Sequence, residues 1–260
     1  MAFLLKHLGI PLALGLLLLA LDATNLDRAV SNWFYDAATG RFPLRYSSVL
    51  ETVMHLWAKY LVVLIAFAVI GAWLFSFAAE RLRPWRRLLL FLGLSLALAP
   101  GAVAVLRSVA YKHCPYDLAE YGGFAPYRGL FEQPAPGVKP GHCFLSGHAS
   151  AGFSLLAFYF AGRVLRRRAL ARLALWGGLA TGMVFGLTRV ALGAHFLSDA
   201  LWSGMICWFV ILALYLVLFG TRDERSGEVA PASHDPDATG RQAGTARSRP
   251  PGTLAHAESR

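Results

Sequence analysis

Two histidines and their neighbours carry the chemistry that this sequence offers. His195 and Asp199 are four positions apart, a spacing that on a helix puts both on one face. A carboxylate there holds the imidazole in one tautomer and supports its positive charge after attack. Asp199 lies in an apolar run, where an unpaired carboxylate is expensive, so a partner is expected and His195 is the nearest. The bland alternative is a structural His–Asp pair between helices. Thr188-Arg189 stands five residues upstream of His195.

His148 belongs to a second cluster, Phe144-Leu145-Ser146-Gly147-His148, at the expected start of a helix. Free N–H groups and the positive dipole end make such a terminus a ready anion site. Ser146 also reads as a plain N-cap and Gly147 as a packing residue. A histidine at a span's edge marks a cavity or pathway. A third cluster, Arg107, Tyr111, Lys112, His113 and Cys114, runs on into Pro115-Tyr116-Asp117. Read alone, it is a cationic anchor whose long side chains snorkel to lipid headgroups. Together the clusters supply two histidines, fixed cations, a hydroxyl and a helix N-terminus. That set suits phosphoryl transfer: cations and N–H groups hold the phosphate oxygens, one histidine attacks, and the other protonates the leaving oxygen. It calls for no metal and no other cofactor.

The elements that position these clusters are membrane spans. Of the 260 residues, 56% are apolar and only 15% charged, whereas a soluble domain carries roughly a quarter charged. The apolar residues fall in blocks of about 20, the length a helix needs to cross a bilayer and too long for barrel strands. Six spans are expected, at about 3–21, 60–79, 88–106, 144–162, 170–187 and 196–219, in an all-α integral membrane bundle. The second span is preceded by Glu51, His55 and Lys59, which make those turns interfacial. The first block lacks a small-residue cleavage site, since Asp22-Ala23-Thr24-Asn25 follows it, and reads as an uncleaved span.

The net charge of +10 comes from short arginine clusters between apolar blocks, a distribution that sets orientation rather than one that binds nucleic acid. Arg81, Arg83, Arg86 and Arg87 lie in one turn, and five arginines lie between Arg163 and Arg172. Both turns, and both termini, are expected to be cytoplasmic. The three chemical clusters then face outward, a result reached without using them. Residues 1–220 read as one membrane domain, and 221–260, poor in large apolar residues, as a disordered cytoplasmic tail. No internal repeat is evident. Cys114 and Cys143 bracket the outer loop and are expected to pair, in a compartment that is oxidising if the cell is Gram-negative. The alternative is two free thiols.

The three clusters resemble the tripartite signature of the type 2 phosphatidic acid phosphatase superfamily, over roughly 85–220. Ser146-Gly147-His148 matches its PSGH motif, with Leu145 for the proline. Arg189, His195 and Asp199 match SRxxxxxHxxxD, with Thr188 for the serine. The first motif, KxxxxxxRP, is met only by Lys112, because Ala119 and Glu120 stand where Arg-Pro belongs. The stretch from His113 to Leu118, with Gly122-Gly123 after it, resembles a branch carrying a CPW-like segment. Either Arg107 or Arg128 is left to supply the missing guanidinium. The resemblance implies His195 as nucleophile, Asp199 as its orienting group, and His148 as acid, then base. It implies Lys112, Ser146, Gly147 through its N–H, and Arg189 as phosphate ligands.

The expected activity is metal-independent hydrolysis of a lipid phosphate or lipid pyrophosphate through a phosphohistidine, at the outer face of a bacterial inner membrane. A phosphotransferase passing the group to a second lipid such as lipid A shares the first half-reaction. Undecaprenyl pyrophosphate, phosphatidylglycerol phosphate, phosphatidic acid and lipid A all remain open as substrates. A transporter or channel is disfavoured because the histidines sit at the outer edge rather than at mid-membrane. A zinc site from His113-Cys114 and His142-Cys143 is disfavoured because adjacent His-Cys pairs bite one ion poorly.

Overall fold

The computed structural model of the chain describes residues 2–22, 24–50, 52, 58–130, 132–133 and 136–220. The segment read as a tail, 221–260, lies outside these, as do Glu51 and His55. Among the described residues the protein is helical, with two isolated β-bridges and no sheet. In chain order the α-helices are α1 (Ala2–Leu4), α2 (Ile10–Asp22), α3 (Leu26–Asn32), α4 (Ala58–Phe75), α5 (Arg86–Ser108), α6 (Gly147–Ser154), α7 (Ala157–Val164), α8 (Arg168–Ala191) and α9 (Leu197–Phe219). A π-helical stretch, Leu5–Gly9, joins α1 to α2.

Among the described residues, three stretches are long and apolar enough to cross a membrane: Glu80–Ser108, Arg168–Ala191 and Leu197–Phe219. Leu5–Ala20 and Tyr60–Phe75 are shorter apolar helices. The expected fourth span departs furthest from its sequence reading. It begins at Gly147 rather than Phe144, and it divides into α6 and α7 at Leu155-Leu156. Bonds from Leu156 N–H to Phe153, Phe158 N–H to Leu155 and Tyr159 N–H to Leu156, each 3.0 Å, tighten the backbone there into i→i+3 turns. The tightening coincides with close approach to α8. A Cβ on Gly152 would lie 2.7 Å from Gly182 Cα, and one on Gly178 would lie 3.0 Å from Leu156 N. Small residues let helix backbones touch where lipid provides no hydrophobic drive between helices.

The main core forms where α6 and α7 pack on α8 while α5 packs on α9. Phe91, Leu145, Phe160, Ile211 and Tyr215 are fully or almost fully buried in it. At one end of the bundle, His7 is buried against Tyr159, with Nε2 2.7 Å from the Tyr159 hydroxyl and Nδ1 2.8 Å from Phe3 O. The first helix is thereby clamped to α7, and Trp208 Nε1 donates to His7 O at 2.8 Å to add α9. At the other end a second, smaller core covers the helix termini. Phe42, Leu118, Tyr121 and Ala125 from the two long connections pack with Phe196, which starts α9.

Candidate active site

The covered end gathers the N-termini of α6 and α9 with the C-termini of α5 and α8. Ser146 is the N-cap of α6, buried, with its hydroxyl 3.4 Å from Ala149 N–H. Gly147 and His148 open the helix, so their backbone N–H groups belong to its unsatisfied first turn. Ser146 N–H donates to Ser203 Oγ at 2.8 Å and approaches Asp199 O at 3.4 Å. Ser203 Oγ in turn donates to Asp199 O at 2.6 Å. One hydrogen-bonded node therefore joins the second and third clusters, some 50 residues apart in sequence.

His195 and Asp199 do not share a helix face. Phe196 is the N-cap of α9, so His195 lies just outside the helix and Asp199 is its third residue. The carboxylate turns back over the terminus, accepts Phe196 N–H on Oδ2 at 2.9 Å, and brings that oxygen 3.5 Å from His195 Nδ1. Nε2 is left as the ring nitrogen turned away from the pair. Helix start, rather than helix periodicity, makes the contact. Both side chains are buried. The turn before them needs Gly193, whose φ of 67° is left-handed and whose missing side chain leaves room for Phe42, 2.5 Å from where a Cβ would stand. Tyr116 N–H donates to Gly193 O at 3.0 Å, and Ala194 N–H to Arg189 O at 2.9 Å, tying the histidine's turn to the end of α8.

Lys112 has a setting that the sequence did not reveal. Its ammonium is buried, 3.3 Å from Asp27 Oδ2, 3.6 Å from Asp199 Oδ1 and 3.4 Å from Ser198 Oγ, over the Phe196 ring. Burial works against its charge, but Asp199 and then Asp27 outweigh that and hold the group above the ordinary lysine range. Asp199 thus faces Lys112 with one oxygen and His195 with the other.

The first cluster is pinned to the second along 110–114 and 139–143. Cys143 N–H donates to Lys112 O at 2.8 Å, and His113 Nε2 and His142 Nδ1 lie 2.9 Å from Lys139 O and Ala110 O. Cys114 and Cys143 are joined by a disulfide. Arg107 Nε donates to His142 O at 2.8 Å, and its Nη1 lies 3.9 Å from where a Gly147 Cβ would be. Arg107 therefore reaches the start of α6, whereas Arg128 pairs with Glu132 at 3.5 Å among exposed groups. Ala104, Arg107, Ser108 and His142 line an open cavity of about 320 Å³. Cys143, His195 and Asp199 cluster tightly enough to suggest a metal site. The Cys143 sulfur is already bonded to Cys114, however, and offers no thiolate.

Residues 88–223, just over half of the chain, match the family model described as the PAP2 superfamily. The chain belongs to that superfamily. It is a multi-pass membrane protein of the PAP2 phosphatase type. The lipid A 4'-phosphatase of Francisella tularensis subsp. novicida (strain U112) is 24% identical over 203 residues, covering 76% of this chain and 89% of that protein. It is a distant homologue. No solved structure matches the chain. Leu145, which stands where the resembled motif has proline, is buried at φ 73°, a value closed to proline. Asp27, Ser198 and Ser203 escaped the sequence reading. Asp27 looks like an ordinary first-turn acid of a short helix, and only the fold carries it across to α9.

Proposed function

We propose that the protein is a lipid phosphatase working through a phosphohistidine on His195, with lipid A phosphates as its first candidate substrates. The observation that carries this reading is the node of Ser146, Ser203 and Asp199. It ties the start of α6, whose free N–H groups suit an anion, through Asp199 to His195. In this reading Nε2 of His195 attacks phosphorus while the bond to the lipid oxygen breaks, and His148 gives that oxygen its proton. His148 then takes a proton from water, which attacks phosphorus and breaks the phosphorus–nitrogen bond, releasing inorganic phosphate. Ser146, Gly147 N–H, Arg189 and Arg107 hold the non-bridging oxygens, and Lys112 adds its positive field from the Asp199 side. Asp199 fixes the His195 tautomer and supports the charge left on the ring. Arg107 takes the place of the guanidinium absent from the first motif.

The substrate class rests on the distant homologue's name and on the open cavity by Arg107, which suits an anionic headgroup. The same reading holds the chain to six spans with both termini cytoplasmic and the site at the outer face of a bacterial inner membrane. It takes 1–220 as the membrane domain. The test is phosphate release from bisphosphorylated lipid A, undecaprenyl pyrophosphate, phosphatidylglycerol phosphate and phosphatidic acid, with and without chelator. Radiolabel should end in inorganic phosphate, most from lipid A, unaffected by chelator and absent in His195→Ala. Label arriving in a second lipid would make the protein a phosphotransferase. Release from none of the four would overturn the reading.

A further inference from the structure

Asp27 lies on α3, in the connection after the first helix, 61 positions before the family match begins. Its carboxylate is nevertheless buried at the start of α9. Oδ1 accepts Ser198 N–H at 3.0 Å, Oδ2 accepts the Ser198 hydroxyl, and Lys112 Nζ is 3.3 Å from the same Oδ2. Lys112 then reaches Asp199 Oδ1 at 3.6 Å, and Asp199 Oδ2 lies 3.5 Å from His195 Nδ1. The chain of contacts runs Asp27, Lys112, Asp199, His195, and every member is buried.

We infer that Asp27 is a positioning residue for the nucleophile, acting by its charge through Lys112 and Asp199. The inference rests on the phosphatase reading above. Without Asp27, one buried ammonium would face one buried carboxylate, and the closest arrangement is a direct pair. Lys112 would be drawn fully onto Asp199, whose Oδ1 has no hydrogen-bond partner in the present arrangement. Asp199 would turn from His195 to complete that pair. By holding Lys112 to one side, Asp27 leaves Asp199 free to face the imidazole. It also leaves the cluster with two carboxylates against one ammonium. That excess negative charge favours the positive ring formed when Nε2 bonds to phosphorus.

Charge and capping can be separated. Asparagine caps a helix about as well as aspartate, so Asp27→Asn keeps the acceptor for Ser198 N–H while removing the charge and the second oxygen that faces Lys112. The assay is p-nitrophenyl phosphate turnover by the full-length protein in detergent. That leaving group needs no proton, so the acid work of His148 drops out and turnover reports attack by His195 together with hydrolysis of the phosphohistidine. Binding of orthovanadate serves as a measure of the phosphate cradle. Asp27→Asn should lower kcat by 10-fold to 10²-fold, on the order seen when a partner orienting a functional group is lost. KM and vanadate affinity should stay within about threefold. Asp27→Glu should recover part of the loss.

Asp27→Ser also removes the charge while keeping a side-chain oxygen of capping type, and should cost the same 10-fold to 10²-fold in kcat. It decides the matter should Asp27→Asn fail to yield a monodisperse protein. Glu120→Gln, which breaks only the exposed pair with Arg28, should match wild type. Wild-type kcat in Asp27→Asn, or in Asp27→Ser where that variant decides, would reduce Asp27 to a cap and overturn the inference. So would a loss carried by KM and vanadate binding alone. Failure of the phosphatase reading looks different: wild type and His195→Ala would then be equally inert toward all phosphates.

Discussion

Replacing Gly152 by alanine adds one carbon where α6 meets the backbone of α8. The new Cβ would lie 2.7 Å from Gly182 Cα, 2.8 Å from Gly182 N and 2.9 Å from Thr181 C, all backbone atoms of α8. Ordinary contact begins near 3.4 Å, so α6 and α8 must part by about 0.7 Å. Overpacking of this kind costs roughly 1–3 kcal/mol, and the better helix propensity of alanine returns up to about 1. The net loss should be about 1–2 kcal/mol, read as a lower midpoint of thermal unfolding in detergent. Activity should fall much further. Ser146 and His148 ride on α6, Arg189 on α8, and a misplacement near 1 Å between reacting groups costs on the order of 10²-fold. Gly177→Ala is the matched control on α8, since no atom outside its own stretch of helix lies within 4 Å of its added carbon. It should be neutral, or stabilising by up to about 1 kcal/mol. If Gly152→Ala unfolds and turns over like Gly177→Ala, backbone contact between α6 and α8 does not set the site's geometry.

Reducing the Cys114–Cys143 disulfide, or replacing both residues by serine, should destabilise by roughly 3–4 kcal/mol in the chain-entropy model for a 29-residue separation. Calorimetry with and without reductant measures it, and activity should fall with it, since that loop carries Lys112. The Tyr121 phenol, pushed up to about 12 by burial and by Glu120, donates to Asn32 Oδ1 at 2.8 Å. The folded protein therefore keeps a proton that the unfolded chain loses near pH 10, so stability should fall as pH rises from there through about 12. Tyr121→Phe should remove that part of the slope. A cysteine at Arg86 or Arg167 should resist an impermeant thiol reagent in intact cells while one at Gly137 reacts. The background is low because Cys207 is buried and the other two native cysteines are paired.

The parts of this protein legible in its sequence are those where solvent dictates residue type. Apolar blocks of helical length marked α2, α4, α5, α8 and α9, and arginines marked the turns between them. His148, His195 and Asp199 stood out because ionisable groups in apolar runs are costly and need a reason. What escaped the sequence depends on contacts between distant segments. The break at Leu155-Leu156 follows from the approach of α8, which no local pattern in 144–162 records. The reach of Arg107 to His142 and to the start of α6 needed the fold to carry those residues to the end of α5. Four-residue spacing paired His195 with Asp199 for the wrong local reason, since a helix begins between them. Asp27 was passed over because an acid in a helix's first turn is ordinarily explained by the helix dipole.

The central claim is that His195 becomes phosphorylated. His148→Ala, incubated with p-nitrophenyl phosphate labelled on phosphorus and quenched in alkali, tests it most directly. With this leaving group the first step needs no acid, while the second lacks its base, so the phosphoenzyme should accumulate. The account predicts a burst of nitrophenolate and an acid-labile, alkali-stable label that peptide mapping assigns to His195. Both should be absent from the His148→Ala, His195→Ala double variant. A burst whose label maps elsewhere, or steady turnover by the double variant, would contradict it.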